Sequence, residues 1–154
     1  MKLSTRSRYG TRAMIDIAQN KDSSATQLKD ISRRQAISAK YLDHLLSSLR
    51  KAGLIRSTRS RQAGYSLSRP AKKITLKDIV LVLEGSLAPV DCVDNPGTCA
   101  QVKTCCSRDV WSKLKREIEK VLASITLQDL VDSKKTKGKS SLHAVVSSDR
   151  RPIL

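Results

Sequence analysis

"TQLKDISRRQAISAKYLDHLLSSLRKAGLIRSTRSRQAGYSLSRP", residues 26–70, decides the fold. Leu42, Leu45, Leu46 and Leu49 fall at i, i+3, i+4 and i+7, which is one apolar face of an α-helix. Ser38 stands where a cap is wanted, and Gly53 stands just past the end, where a residue free to take positive φ stops a helix. Upstream, Thr26 is placed to cap a shorter helix with Leu28 and Ile31 facing inward, and "RRQAIS" leaves a short turn before Ser38. Downstream, Leu54–Arg59 and Tyr65–Ser68 alternate loosely around "SRQAG", which reads as a hairpin loop, and Pro70 ends the second strand. Two helices, a tight turn and a basic hairpin describe a winged helix-turn-helix. In that motif the second helix enters a DNA major groove and the hairpin reaches phosphate or minor groove.

The exposed face of that second helix carries Ser38, Lys40, Tyr41, Asp43 and His44, and its N-terminus offers backbone N–H groups to phosphate. The hairpin tip carries Arg59, Arg61 and Gln62, and arginine suits a narrow minor groove. The charge agrees. The 154 residues carry a formal net charge of +16, with 15 basic and 4 acidic residues in 1–70 against 15 and 10 in the remainder. Such density repels itself unless a polyanion binds it, so double-stranded DNA is the expected partner. The plainer readings are that Arg33, Arg34, Arg50 and Lys51 are solvated flanks, that Tyr41 is half core, and that the winged unit docks a protein.

Outward from this stretch, residues 6–19 place Tyr9, Ala13, Met14, Ile17 and Ala18 at helical spacing, and "NKDSSA" reads as a polar turn. Thr75 with Asp78 resembles a capping box opening a helix through Ile79, Val80 and Leu83, closed by Gly85. Ser107 is expected to cap a long helix bearing Trp111, Leu114, Ile118, Val121, Leu122 and Ile125, and "TLQDLVD" starts a short further helix. With no Phe and one Trp, the core must be aliphatic. The expected class is mainly α with a small β-hairpin. The expected divisions are a DNA-binding unit over 1–85, a cysteine-bearing loop over 86–106, a dimerisation helix and short helix over 107–132, and a basic disordered tail over 133–154.

All four cysteines lie within "CVDNPGTCAQVKTCC", residues 92–106. The chain has no apolar run near the ~18 residues of a bilayer span and no apolar segment after its charged N-terminus, so a cytoplasmic protein off the membrane is expected. In that compartment a thiol cluster suits a metal better than a disulfide framework. Zinc usually takes paired C-x2–4-C knuckles, which are absent, and the wide Cys92-x6-Cys99-x5-Cys105 spacing suits a larger object such as a [2Fe–2S] cluster. A cluster-free thiol redox switch or a ligand-responsive repressor of the same fold, zinc and no cofactor are the alternatives. Adjacent Cys105 and Cys106 near Lys103 and Arg108 also admit a thiol oxidoreductase. Against catalysis, no C-x-x-C falls in a βαβ pattern and no Ser/His/Asp or HExxH constellation occurs.

"MKLSTRSRYGTRAMIDIA", "LKDISRRQAISAKYLDHLLSSLRKAGLIRSTRSRQAGYSLSRPAKKITLKDIV" and the later cysteines together resemble the Rrf2 family of bacterial transcription regulators over roughly residues 1–132. The resemblance implies a homodimer on a pseudo-palindromic operator, with the long helix antiparallel to its mate. It implies that Cys92, Cys99 and Cys105 hold an iron–sulfur cluster, as three loop cysteines do in IscR-like and NsrR-like members. In IscR-like members a histidine three residues after the third cysteine completes the site. Arg108 stands there, which leaves Cys106, Asp109 and Asp91 as nearby candidates for the fourth ligand. Some NsrR-like members use an N-terminal carboxylate of the partner, where this chain has Arg6 and Arg8. The histidines, His44 and His143, lie on the recognition helix and in the tail. The wing also departs from a "GPGGGY"-like pattern, with Ser60, Arg61, Gln62 and Ala63 at its tip and Arg59 in the place of the family's wing arginine. Asp43 stands where a glutamate is frequent, one methylene shorter in its reach to a cytosine amino group.

Overall fold

The computed structural model describes residues 3–20, 25–58 and 63–136. Helix α1 (Thr5–Gln19) is capped by Ser4, whose hydroxyl accepts from the Arg6 N–H at 3.1 Å. It buries Ala13, Met14, Ile17 and Ala18, the i, i+1, i+4, i+5 face read from the sequence. A Cβ at Gly10 would lie 2.1 Å from Leu83 Cδ1, so the absence of a side chain lets α1 and α4 (Leu76–Glu84) pack closely.

Helix α2 (Leu28–Gln35) corrects one expectation. Gln27, not Thr26, is its cap residue, and no side chain caps it. Thr26 is instead extended and buried, and pairs with Tyr65 through two backbone hydrogen bonds of 2.9 and 2.8 Å. Its β-branched side chain suits that strand-like role. The turn out of α2 runs through Ala36 in the left-handed region, φ 53°, held by the Ser32 hydroxyl donating to the Ile37 carbonyl at 2.6 Å.

In α3 (Ala39–Lys51) the Ser38 hydroxyl accepts from the Tyr41 N–H, and Leu42, Leu45, Leu46 and Leu49 are fully buried. Gly53 follows at φ 72°. Strands β1 (Ile55–Thr58) and β2 (Gly64–Leu67) pair antiparallel, Ile55 with Leu67 and Thr58 with Gly64. The capping box of Thr75 and Asp78 opens α4, and Gly85 at φ 82° ends it.

Beyond α4 come two short 3-10 turns, Asp91–Val93 and Pro96–Thr98, and then α5 (Cys106–Ser124). Here too the cap differs from expectation. Cys105 occupies the cap position, and Ser107 lies within the first turn with its hydroxyl 3.1 Å from Cys105 Sγ. The chain then returns to the winged unit. The Leu76 N–H donates to the Ile125 carbonyl and the Leu127 N–H to the Ile74 carbonyl, both at 2.8 Å. A last helix, α6, runs over 127–136, where the described residues end. Thr126 and Asp129 cap it reciprocally, and Leu127 and Val131 enter the same core as α1, α3 and α4. The helix thus continues through 133–136, a stretch expected to be tail. Lys134 donates to Gln19 Oε1 at 3.0 Å and Ser133 to the Asp129 carbonyl, which extends the order. The rest of that segment, with His143, lies outside the described residues. Among the described residues no helix is long and apolar enough to cross a membrane.

Candidate DNA-reading face and cysteine loop

On α3, burying the four leucines turns Lys40, Asp43 and His44 to solvent, with Ser38 exposed at the helix start. Tyr41 is half-buried. Its ring meets Tyr9 edge-on, centroids 6.2 Å apart at 83°, and its hydroxyl lies 3.4 Å from Thr5 Oγ1. It braces α3 on α1. Asp43 is not free: its Oδ1 accepts from the Tyr65 hydroxyl at 3.2 Å. Burial, and then the adjacent Asp43 charge, hold the Tyr65 phenol above its ordinary pKa, so it remains a donor. Arg50 Nη1 reaches Ser57 Oγ at 3.4 Å, a second tie from α3 to the hairpin. The tip residues Arg59, Arg61 and Gln62 lie outside the described residues.

Residue-by-residue reading of the sequence missed the support beneath this face. Asp16 is 2 % exposed and accepts from Arg34 through two guanidinium nitrogens and from Gln35 Nε2 at 2.8 Å. Arg12 Nε donates to Gln35 Oε1 at 3.1 Å, and its guanidinium sits 5.5 Å from the Tyr9 ring centroid. The carboxylate raises the Arg34 pKa, chiefly by hydrogen bonding. This network fixes α1 against α2, the helix before α3. One signal was legible: Asp16 is the sole acidic residue of the first 20, and it stands directly before Ile17 of the apolar face.

The cysteine loop is built differently. Cys92 sits in the first 3-10 turn, Cys99 directly after the second, and Cys105 and Cys106 where α5 begins. All four are free thiols, the first three half-buried and Cys106 exposed. Arg108, in the place where a histidine ligand is expected, donates from Nε to the Cys92 carbonyl at 3.0 Å and ties the loop to α5. The Ser107 hydroxyl, followed by the Arg108 N–H, lowers the Cys105 pKa. Pro96, Val102, Lys103, Cys105, Cys106 and Arg108 line an open hollow of about 560 Å³. Among the described residues no three His, Cys, Asp or Glu side chains converge on one point. The donor chemistry fits an iron–sulfur group nonetheless. The donors are soft, and the Cys105 thiol, its pKa lowered by the Ser107 hydroxyl and then the Arg108 N–H, sits at the N-terminal turn of α5.

Asp94 accepts from Lys115 on α5 and from the Ser86 hydroxyl. Glu119 on α5 accepts from Lys77 of α4 at 2.9 Å and lies 3.7 Å from Lys115. On its other side α5 is bare: Val110, Trp111, Leu114 and Val121 are 59, 38, 42 and 57 % exposed. No residue of this 19-residue helix is buried.

A family model described as Rrf2, iron-dependent transcriptional regulator, matches residues 3–133. Protein rrf2 of Nitratidesulfovibrio vulgaris is 42% identical over 131 residues, covering 85% of this chain and 87% of its own. Among solved structures, T. potens IscR superposes with a TM-score of 0.71 at 41% identity, covering 87% of this chain and 88% of that one. CymR, the global cysteine regulator of B. subtilis, superposes with a TM-score of 0.70 at 36% identity, covering 86% and 98%.

Proposed function

Because the chain belongs to the Rrf2 family of DNA-binding transcription regulators, we propose that it is a homodimer that reads a pseudo-palindromic operator and senses iron–sulfur or redox status through its cysteine loop. The observation that carries this reading is the bare apolar stripe of α5, which begins at the cysteines and ends at the return into the winged core. Exposed large apolar side chains gathered along one helix mark an association surface, and a two-fold axis through it would set α3 against its mate. Two recognition helices must sit about 34 Å apart to enter successive major grooves. A small change in the packing of α5 against its partner alters that separation and so the affinity.

On this reading Ser38, Lys40, Tyr41, Asp43 and His44 face the major groove, with Arg59, Arg61 and Gln62 on phosphate or minor groove. Replacing Lys40 or Arg59 by Ala is expected to lower the log–log salt slope of operator binding by about 0.9 for each phosphate that is no longer neutralised. Cys92, Cys99 and Cys105 would hold a [2Fe–2S] cluster, with the fourth ligand from Cys106 or a nearby aspartate. Bound there, the group supplies a reversible one-electron centre that is labile to oxidants. The chain's part is to supply thiolates, and through Arg108 and Asp94 to tie the loop to α5.

Anaerobically purified protein tests the reading. Visible absorbance that disappears together with a change in operator affinity supports it. The low-lying Cys105 thiol and the separated sulfurs favour one second reading, a cluster-free thiol switch. Colourless protein whose operator affinity changes on mild thiol oxidation selects that reading instead.

A further inference from the structure

We propose that Tyr65 is a positioning residue for sequence discrimination: its phenol, fixed by the wing, aims the Asp43 carboxylate at the base edge that Asp43 reads. The proposal rests on α3 being the DNA-reading helix and goes beyond it in assigning a wing residue control over a helix contact.

Tyr65 is held on both edges of its strand. Across the hairpin it pairs with Ser57, and on the other side its N–H and carbonyl bond Thr26 at 2.8 and 2.9 Å. That second pairing depends on Gly64, because a Cβ there would lie 2.7 Å from the Thr26 carbonyl oxygen. The Tyr65 ring packs half-buried on the core, so backbone and ring are both set before DNA arrives. Asp43 differs. It is exposed on a helix surface, and its one hydrogen bond among the described residues is the one from the Tyr65 hydroxyl at 3.2 Å. Without that bond the carboxylate samples several rotamers. With it, one acceptor site of Oδ1 is engaged, and the carboxylate, with Oδ2 wholly open, is held in a defined place.

An ionised carboxylate accepts only, so it selects base edges that donate in the major groove: cytosine N4, or adenine N6. It rejects guanine O6 and N7 and thymine O4, which are themselves acceptors. How sharply it does so depends on how closely its position is held, because a mobile carboxylate can turn away from a wrong base. The short Asp43 side chain gains most from such support. The raised pKa of the phenol keeps it a donor under all ordinary conditions. The bond also links the two reading elements, so a wing drawn onto phosphate carries Asp43 with it.

The test uses the full-length protein and binding sites selected by the wild type from randomised duplex DNA. Asp43→Ala first identifies the base pair at which discrimination depends on Asp43. Tyr65→Phe keeps the ring and its packing. It is expected to preserve thermal unfolding, salt slope and affinity for random duplex, while discrimination at that one base pair falls about three- to tenfold, part of what a good base contact supplies. The double variant should discriminate no worse than Asp43→Ala alone. If Asp43→Ala removes discrimination and Tyr65→Phe leaves it intact, the positioning role is overturned while α3 still reads DNA. A uniform loss of affinity across all sequences, with or without a lower Tm, also overturns it, because the tyrosine is then merely structural. If Asp43→Ala changes discrimination nowhere, Asp43 does not read bases and both assignments fall together.

Discussion

The described residues divide into two kinds of material. Every buried side chain lies in 3–87 or in 127–136; from 88 to 126 not one is buried. The first region is closed by an aliphatic core to which α1, α3, α4 and α6 all contribute, and by a buried Asp16–Arg34–Gln35 network. The second is thirty-nine consecutive residues held by a handful of polar ties: Arg108 to Cys92, Lys115 to Asp94, Lys77 to Glu119. A closed core gives one rigid answer, as a DNA-reading surface requires. The second region carries three half-buried thiols and one exposed thiol at one end, and exposed apolar side chains along α5. On the proposed function the first region binds DNA and the second changes with the signal.

Substitution of Ile118 breaks this contrast most severely. Ile118→Asp sets a charge in the middle of the stripe, which costs several kcal/mol if the stripe buries against a second copy. We expect monomers in sedimentation and an operator affinity at least about a hundredfold lower, since one half-site is left to bind alone. The matching change in the first region is Leu46→Ala. It should cost about 3 kcal/mol of stability, independent of protein concentration, and leave the dimer intact. An Ile118→Asp protein that still sediments as a dimer would make α5 a solvated strut and remove the partner from the account.

The cysteines come next in size. Cys92→Ala, Cys99→Ala and Cys105→Ala each remove a soft, anionic donor. Each is expected to abolish visible absorbance and shift operator affinity, with the thermal unfolding of the winged unit unchanged because no core residue is touched. Cys106→Ala separates the candidates for the fourth ligand. Equal loss of colour assigns it to Cys106, and retained colour assigns it to an aspartate or an outside group. Four variants indistinguishable from wild type in colour and DNA binding would leave a basic winged-helix regulator without this sensor.

The two regions were unequally legible in the sequence. The leucine stripe of α3, the capping box at Thr75 and Asp78 and the hairpin are local patterns, and each folds as its spacing demands. Thr26 and Ser107 were misread because a cap residue and an extended or first-turn residue share the same chemistry. Only the distant Tyr65 backbone, in one case, and the neighbouring Cys105 sulfur, in the other, decide between them. The entry of Leu127 and Val131 into the core, and the hold of Tyr65 on Asp43, are non-local pairings that no spacing rule encodes.

Asp16 sharpens the contrast from within the rigid region. Asp16→Ala removes the acceptor of Arg34 and Gln35 and leaves their donors facing a small cavity. Arg34 is 37 % exposed and can turn to water, so the loss should fall short of a fully buried pair, at about 2 kcal/mol. Thermal unfolding measures it. Because α2 is then less well fixed, operator affinity should fall more than affinity for random duplex. Equal losses on both would show that the network stabilises the unit without setting its reading geometry.

The smallest effect lies at the joint between the regions. Glu119 on α5 faces Lys77 of α4 and Lys115 of its own helix. The hydrogen bond from Lys77, with both positive charges, outweighs partial burial and holds its carboxyl below the usual glutamate range. A carboxyl with a depressed folded pKa contributes stability that is complete above its unfolded pKa of about 4.3, and that is lost as pH falls through the folded value. The pair is partly exposed and screened by salt, so the contribution is at most about 1 kcal/mol. Glu119→Gln should therefore match the wild type in the acid range, where the wild-type carboxyl is protonated too. It should be slightly less stable near neutrality, by a margin that shrinks in high salt. The sensitive observable is local: amide exchange along α5 should quicken in the variant near neutral pH while α3 is unchanged. Equal quickening in both helices would mean that the joint is part of the core, and that the boundary drawn at residue 88 is not a mechanical one.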